Sequence, residues 1–246
     1  MKEINYGLVG SDISYSFSPG YFKKKFEKNG LKNYRYNLYD ISDINQLPDI
    51  IAETKRLRGL NVTIPYKEAI IPLLDSTSKT AKKIGAVNTV TVSKKGKLKG
   101  FNTDHYGFRK SLKPLLKEHH EKALILGTGG ASKAVAYALR KLGIEYDFVS
   151  RNGDEVIFSY TDLDKEIFDE YHIIINTTPL GTYPDTEECP PLDYSLFTDK
   201  HIAFDLVYNP EVSTFLKKAG EQGAVTKNGY EMLVYQAEKA WEIWNK

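Results

Sequence analysis

The chain has 246 residues, enough for one large domain or two of ordinary size. Hydrophobic residues make up 41% and charged residues 27%, a composition that is typical of folded globular proteins and excludes a disordered or fibrous chain. The formal net charge of +2 provides no broad field for nucleic acid or for an anionic membrane surface, so any anion site must be local.

Cysteine and apolar content narrow the class of protein further. The single cysteine, Cys189, excludes an internal disulfide framework and a cysteine-rich metal site, and we expect no metal. No apolar run reaches the roughly 18 residues of a membrane span, and the N-terminal segment is too polar for a secretory signal. We therefore expect a cytoplasmic protein without membrane or nucleic-acid partners.

The first part of the chain alternates short strands with helices. Strand patterns cover residues 4–9, 34–39 and 59–63, and helical spacing of aromatic residues over 21–26 follows the first of them. This alternation predicts a mostly parallel sheet, whose ligands gather at the carboxyl ends of its strands.

The second part has the same character. Asp104 can cap a helix that continues to about residue 117, and the charged segment 117–122 is typical of a solvated turn. A strand at 123–126 leads through glycines into a helix at 132–142. Further strands are predicted at 146–150, 173–176 and 202–206, and a last helix at 230–244.

A glycine-rich turn indicates a nucleotide site. In Gly127-Thr128-Gly129-Gly130-Ala131 a strand turns into a helix, which brings backbone N–H groups and the positive end of the helix dipole toward a pyrophosphate. The run departs from the usual G-x-G-x-x-G pattern, so tight packing of the turn is the alternative interpretation.

The end of the next strand favours NADP over NAD. Ser150-Arg151-Asn152 places a guanidinium where NAD enzymes have an acid, and a guanidinium suits a 2′-phosphate. An ordinary surface arginine is the alternative, and Asp154 and Glu155 weaken the preference.

Several polar loops predict a site for a small polyhydroxylated substrate. They are Ser14 to Ser18, the run 61–67 that ends in Lys67, the run 85–89, and the run 100–104. Helix capping, a solvated lysine and turn formation explain each loop singly. Together, Lys67 and Asp104 could supply the proton that reduction of a ketone requires.

Read in order, these segments closely resemble the shikimate dehydrogenase family over nearly the whole chain. The specific motifs are Ser16-Phe17-Ser18-Pro19, Asn61-Val62-Thr63-Ile64-Pro65-Tyr66-Lys67, Gly85-Ala86-Val87-Asn88-Thr89, Asn102-Thr103-Asp104 and Gly127-Thr128-Gly129-Gly130-Ala131. Two later segments agree, namely Asp205-Leu206-Val207-Tyr208-Asn209-Pro210 and residues 228–236.

The resemblance implies roles for individual residues. Lys67 would be the catalytic acid/base, with Asp104 as its partner. The residues implied to hold the substrate are Ser16, Ser18, Thr63, Asn88, Thr103, Tyr208 and Gln236. Those implied to bind the cofactor are Gly127, Gly129, Gly130, Ala131, Ser150, Arg151 and Asn152, with Leu206, Gly229 and Met232 near the nicotinamide.

The resemblance also implies the fold and the reaction. We expect an α/β protein with a substrate domain over residues 1–103 and 229–246, and a Rossmann-like dinucleotide-binding domain with a parallel sheet over 104–228. The implied reaction is the reversible reduction of 3-dehydroshikimate to shikimate with NADPH, in chorismate and aromatic amino-acid biosynthesis. Family members are monomers or homodimers, and both states stay open.

Three departures from the family pattern modify these expectations. Tyr15 stands where histidine is common, and Gly153, Asp154 and Glu155 follow Arg151 where another basic residue is common, which leaves NAD open as a cofactor. The stretch 152–171 is short, so we expect one helix beside the nucleotide site to be reduced or missing.

Three other functions compete with that of a dedicated shikimate enzyme. A quinate/shikimate dehydrogenase of broader specificity stays open, since one loop could accommodate the groups that distinguish quinate. A non-catalytic binding module on the same fold would not need both Lys67 and Asp104. A glutamyl-tRNA-reductase-like enzyme would need a nucleophilic cysteine in the substrate domain, whereas Cys189 lies in a proline-rich loop.

Overall fold

The computed structural model describes residues 2–14, 16–151 and 157–246. The chain divides into two compact units, the first made of Met1–Thr103 with Ala237–Lys246 and the second of Asp104–Gln236. The sequence predicts that the substrate domain resumes at residue 229, whereas the first unit resumes eight residues later, at Ala237. The assignment of residues 229–236 to the substrate domain stays a prediction.

A six-stranded sheet forms the centre of the first unit, in the order β2-β1-β3-β5-β6-β4. Its strands are β1 Ile4–Gly10, β2 Tyr34–Asp40, β3 Leu57–Val62, β4 Ser76–Thr77, β5 Thr89–Val92 and β6 Leu98–Phe101. The pairs β1–β2, β1–β3 and β4–β6 are parallel, whereas β5 is antiparallel to both of its neighbours.

Short helices connect these strands. They are α1 Phe17–Lys28, α2 Leu47–Glu53, α3 Tyr66–Ala69 and α4 Lys79–Ile84, with 3-10 turns at Ile44–Gln46 and Ile71–Leu73. The ends of α4 show how local chemistry sets a helix: Ser78 accepts a hydrogen bond from the Ala81 N–H, and Gly85 ends the helix at a φ of +76°.

The second unit is built on a fully parallel six-stranded sheet in the order β12-β11-β10-β7-β8-β9. Its strands are β7 Lys122–Leu126, β8 Glu145–Ser150, β9 Phe158–Ser159, β10 Ile173–Asn176, β11 Ile202–Asp205 and β12 Val225–Lys227. Parallel strands joined through helices confirm the predicted α/β class.

Helices cover the strands of this second sheet. They are α5 Asp104–Leu112, α6 Gly130–Leu142, α7 Lys165–Glu170 and α8 Thr214–Glu221, with 3-10 turns at Lys113–Leu115, Tyr160–Asp162 and Tyr194–Leu196. The last helix, α9 Tyr230–Trp244, begins in the second unit and ends in the first. The described part of the stretch 152–171, where one helix was expected to be reduced or missing, contains the 3-10 turn Tyr160–Asp162 and the six-residue helix α7.

The apolar runs of β7 and β10 place a core on each face of the second sheet. Along β7, Ala123 and Ile125 point into one cluster, whereas Leu124 and Leu126 point into the other. All four side chains are fully buried. Strands that are covered on both faces read as continuous apolar runs, which is why their positions could be predicted from sequence.

Aromatic residues form the part of the first unit's core that includes α9. Trp244 lies among Tyr6, Phe22 and Phe26, and its Nε1 donates to the Val90 carbonyl at 2.9 Å. A Cβ on Gly59 would lie 2.2 Å from the Trp244 ring, so glycine is required there for the ring to approach the sheet. Residues 237–244 therefore complete the first unit.

Local details differ from the sequence predictions at several points. Asp104 was predicted to cap a helix from outside it, but the helix begins at Asp104 itself, so this carboxylate lies in the first turn. His120, predicted in a solvated turn, is buried and accepts a hydrogen bond at Nδ1 from the Lys117 N–H. Across the described ranges, no helix combines the length and apolarity that a bilayer span requires.

Candidate functional site

In the first unit, a buried hydrogen-bond network joins two loops that were predicted to hold substrate. Asn88 precedes β5 and Thr103 follows β6, so antiparallel pairing brings them to the same end of the hairpin. Asn88 Nδ2 donates to Thr103 Oγ1 at 2.9 Å, and the Thr103 N–H donates to Asn88 Oδ1 at 2.7 Å. Thr89 Oγ1 lies 3.2 Å from Thr103 Oγ1. All three side chains are buried, so their rotamers are fixed by each other.

The carboxyl end of β3 adds Thr63 and Lys67 to this region. The Thr63 N–H donates to the Val9 carbonyl at 2.9 Å, which extends the pairing of β1 and β3 by one residue. Lys67 lies on α3 and is half-buried. Its carbonyl accepts from the Val87 N–H at 2.7 Å, which fixes α3 to the loop before Asn88.

The serine-rich loop places its two predicted residues differently. Ser16 occupies the N-cap position of α1, but its side chain makes no capping hydrogen bond. Ser18 is buried in the first turn of α1, and its side chain lies near the Tyr36 hydroxyl. Helix capping, the commoner use of such serines, is therefore not what these two hydroxyls do.

Asp104, Tyr208 and Gln236 belong to the second unit. Asp104 is buried in the first turn of α5, and Gln236 is buried on α9. Tyr208 is half-buried in the loop after β11. Because Lys67 belongs to the first unit, its pairing with Asp104 stays a prediction.

The glycine turn of the second unit has the geometry that a phosphate cradle needs. Gly127 follows β7 at a φ of +100°, and its N–H donates to the Val149 carbonyl at 2.8 Å. Gly129 is the N-cap residue of α6, which begins at Gly130 and continues through Ala131. A Cβ added to Gly129 would meet no protein atom within 4 Å, so the space in front of the helix is open to a ligand.

A groove of about 690 Å³ lies in front of this turn within the second unit. Its lining residues are Gly127, Thr128, Ser150, Arg151, Tyr160, Thr178, Pro179, Leu180, Glu188, Cys189 and Pro191. The volume falls in the range of small-molecule sites. Burial raises the pKa of Tyr160, and the Arg151 guanidinium opposes that rise, which indicates that the two side chains are near each other.

A buried carboxylate supports the loops that follow β10 and β11. Asp205 Oδ1 accepts hydrogen bonds from Asn176 Nδ2 at 3.0 Å and from the Val207 N–H at 2.9 Å, and Oδ2 accepts from the Ser213 hydroxyl. Burial raises the pKa of Asp205 to about 7, and these three hydrogen bonds oppose the rise. Asn176 Oδ1 in turn accepts from the Thr178 hydroxyl at 2.6 Å, which connects Asp205 to the wall of the groove.

Leu206, Gly229 and Met232 are brought together next to these loops. The Gly229 N–H donates to the Val207 carbonyl at 3.0 Å, and a Cβ on Gly229 would lie only 2.2 Å from the Leu206 carbonyl oxygen. Met232 is buried in the cluster against which Leu206 packs. Glycine at 229 is therefore a condition for this close approach.

Some predicted residues lie outside the described part of the chain. They are Tyr15, Asn152 and the run Gly153-Asp154-Glu155. Arg151 and Ser150 are described, the arginine exposed and the serine half-buried.

The comparison with known proteins identifies the family. A family model described as the shikimate dehydrogenase substrate binding domain matches residues 8–90. A curated shikimate dehydrogenase (NADP(+)) from Carboxydothermus hydrogenoformans is 38% identical over 255 residues, which cover 97% of this chain and 90% of the relative. The chain belongs to the shikimate dehydrogenase family.

Solved structures agree with this assignment to the shikimate dehydrogenase family. The shikimate dehydrogenase of Aquifex aeolicus superposes with a TM-score of 0.86 at 36% identity, covering 99% of this chain and 92% of that one. The enzyme from Thermus thermophilus, solved in complex with NADP(H) and shikimate, has a TM-score of 0.85 at 34% identity, with 98% and 93% covered. The predicted family and fold are thus confirmed.

Several residues of both regions were not singled out from sequence. Tyr36, Asn61 and Thr89 belong to the network of the first unit, and Tyr160 and Thr178 line the groove of the second. Asn61 and Thr89 stand inside quoted motifs, which was a signal for them. Tyr36 is one of several aromatic residues on a strand, and its pattern alone indicates only a core position.

Proposed function

We propose that this protein catalyses the reversible, NADP-dependent reduction of 3-dehydroshikimate to shikimate, a step of chorismate biosynthesis. What carries the proposal is that one chain of this family combines the buried network around Asn88 and Thr103 with an open glycine-turn groove beside Arg151. The first provides oriented polar groups for a hydroxylated substrate, and the second provides space and charge for a dinucleotide.

We assign the proton transfer to Lys67. Bound NADPH would supply a hydride to the carbonyl carbon, and the carbonyl oxygen must gain a proton in the same reaction. An ammonium at Lys67 Nζ holds that proton and donates it to the oxygen, and in the reverse direction the neutral amine accepts it from the hydroxyl. Asp104 is assigned to accept a hydrogen bond from a substrate hydroxyl and to serve as the catalytic partner of Lys67. The half-buried position of Lys67 on α3, tied through its own carbonyl to the Asn88 loop, supports this role.

Substrate binding is assigned to seven hydroxyl- and amide-bearing side chains of the family motifs. They are Ser16, Ser18, Thr63, Asn88, Thr103, Tyr208 and Gln236. The Ser16 side chain makes no capping hydrogen bond, which leaves its hydroxyl available to a substrate. Asn88 and Thr103 hydrogen bond to each other, and side chains with fixed rotamers lose less entropy on binding.

Cofactor binding is assigned to the groove of the second unit. Gly127, Gly129 and Gly130 with Ala131 would hold the pyrophosphate, because the backbone N–H groups at the start of α6 have open space before them. Ser150, Arg151 and Asn152 would bind the adenosine 2′-phosphate. Leu206, Gly229 and Met232 would lie at the nicotinamide.

Four absorbance traces test the proposal. Purified protein is mixed with shikimate or quinate, each with NADP or NAD, and formation of the reduced nicotinamide band is followed. We expect the fastest turnover with shikimate and NADP. Comparable rates with quinate or NAD would favour a broader quinate/shikimate dehydrogenase. Folded protein that binds NADP and turns over neither substrate would favour a non-catalytic module instead.

Two further properties stay predictions from the sequence. The chain is expected in the cytoplasm, and it is expected to act as a monomer or a homodimer. Light scattering of the purified protein distinguishes these two oligomeric states.

A further inference from the structure

We propose that Tyr36 is a positioning residue for the substrate site, acting through Asn61. The inference rests on the proposed function and goes beyond it, since Tyr36 belongs to none of the predicted site motifs. Tyr36 lies on β2, and its ring stacks on Phe22 with 4.5 Å between the ring centroids and 12° between the planes. The ring belongs to the aromatic core, whereas the hydroxyl meets the polar network.

The hydroxyl of Tyr36 connects β2 to the loop before β5. It donates to Asn61 Oδ1 at 2.7 Å. Asn61 Nδ2 donates to the Asn88 carbonyl at 3.2 Å. Tyr36 on β2 and Asn88 before β5 are thereby joined through one amide.

The direction of each hydrogen bond follows from what the groups can donate. The Asn88 carbonyl only accepts, so Asn61 presents Nδ2 to it and turns Oδ1 toward Tyr36. An amide oxygen only accepts, so Tyr36 gives its single proton to Asn61. The Asn61 side chain therefore has one orientation, which the Tyr36 proton fixes.

Burial makes this orientation costly to change. Asn61 and Asn88 are 4% and 3% exposed, so water has little access to replace a missing partner. Burial also raises the pKa of Tyr36 well above its usual range, so the hydroxyl keeps its proton and its role as donor at physiological pH. Without the hydroxyl, the Asn61 amide oxygen loses its donor, while the ring stays in place.

The test compares Tyr36→Phe with Tyr34→Phe. Tyr34 lies two residues earlier on β2 and belongs to the same aromatic cluster, but its hydroxyl takes no part in the network. Steady-state kinetics with shikimate and NADP are measured for both variants and for the unaltered protein, together with melting temperature. We expect Tyr36→Phe to raise the KM for shikimate about three- to tenfold, the scale of one hydrogen bond, with kcat and the KM for NADP within about twofold. Tyr34→Phe should leave all three constants unchanged.

A double-mutant cycle with Asn61→Ala tests whether Tyr36 acts through Asn61. In the Asn61→Ala background, Tyr36→Phe should have a clearly smaller effect on the KM for shikimate. An unchanged KM in Tyr36→Phe, or the same rise in Tyr34→Phe, would overturn the proposal while leaving the proposed function intact. If the unaltered protein turns over no shikimate, the proposed function and this inference fail together.

Discussion

The two units build their predicted ligand regions from different materials. In the first unit the region consists of buried side chains that bond to one another, such as Asn88 with Thr103 and Tyr36 with Asn61. In the second unit it consists largely of exposed backbone at Gly129 and of surface side chains such as Arg151. The difference teaches that side chains of the first region are oriented before any ligand arrives, whereas the second region offers open space that a ligand must fill.

The largest effect should come from the first unit. Lys67→Ala should lower kcat for shikimate oxidation by roughly a hundredfold or more, because the reaction loses its general acid/base, while the KM for shikimate changes less. Steady-state kinetics measure both constants. The control is Lys83→Ala, which removes an exposed lysine on α4 and should leave both constants unchanged. Unchanged kcat would remove Lys67 from the mechanism and leave the first unit with a binding role only.

The next effect should come from the second unit and should concern the cofactor alone. Arg151→Ala should raise the KM for NADP about tenfold or more and hardly change the KM for NAD, because only NADP carries the 2′-phosphate that the guanidinium would bind. Arg140→Ala, an exposed arginine on α6, is the matched control. Equal effects on both cofactors would show that Arg151 does not read the 2′-phosphate.

Gly129→Ala tests whether the open space before α6 is a cofactor site. The added methyl meets no protein atom within 4 Å, so any fall in melting temperature should be limited to the small cost of alanine at an N-cap position. If a pyrophosphate occupies that space, the KM for NADP should rise about tenfold, on the scale of one or two lost hydrogen bonds to backbone N–H groups. Gly20→Ala, inside α1 and also with open space, should leave the KM for NADP unchanged and raise the melting temperature slightly, since alanine favours a helix more than glycine does. An unchanged KM for NADP in Gly129→Ala would mean that no pyrophosphate binds at this position in the working enzyme.

The smallest effect distinguishes the two units by pH. All five histidines of the chain lie in the second unit. His201 is buried, and its Nδ1 accepts a hydrogen bond from the Thr198 N–H at 3.0 Å. Burial and the neighbouring His172 lower the pKa of His201, and hydrogen bonds to the backbone offset this shift only in part. His201 therefore binds a proton more readily in the unfolded chain, where its pKa is the ordinary 6.5, than in the folded protein. The second unit should lose stability as the pH falls below that value.

His201→Asn tests this pH dependence, since the amide oxygen can still accept from Thr198 but cannot titrate. Urea unfolding is measured at pH 7.5 and at pH 5.5. On acidification, the free energy of unfolding of the unaltered protein should fall by on the order of 1 kcal/mol more than that of the variant, because one titrating group contributes at most about 1.4 kcal/mol per pH unit. The exposed His119→Asn is the control. Identical losses of stability in the unaltered protein and in His201→Asn would show that His201 does not cause the pH sensitivity of the second unit.

The sequence predicted those parts of the fold that depend on local pattern. The strands around residues 4–9 and 173–176 and the helix after Gly130 were predicted because apolar runs and glycine turns act over a few residues. The antiparallel direction of β5 was not predicted, since it depends on pairing between segments about thirty residues apart.

The candidate site divides in the same way. Asn88 and Thr103 were predicted as polar loop residues, but not as partners, because their contact depends on how the β5–β6 hairpin closes. Tyr36 was missed because an aromatic residue on a strand predicts core packing, and its hydroxyl partner lies 25 residues away in sequence. Asp104 was predicted as a cap, whereas it lies in the first turn of its helix, a position that also favours an acid.

Because α9 begins in the second unit and ends in the first, it constrains the order in which the two units fold during translation. The core that contains Tyr6 and Phe22 also contains Ala237, Ala240 and Trp244, so it cannot close while those residues are still within the ribosome. The second unit is continuous in sequence and all of it emerges earlier. On the ribosome, the parallel sheet of the second unit can therefore fold first, and the first unit, although translated earlier, must wait for the arrival of Trp244.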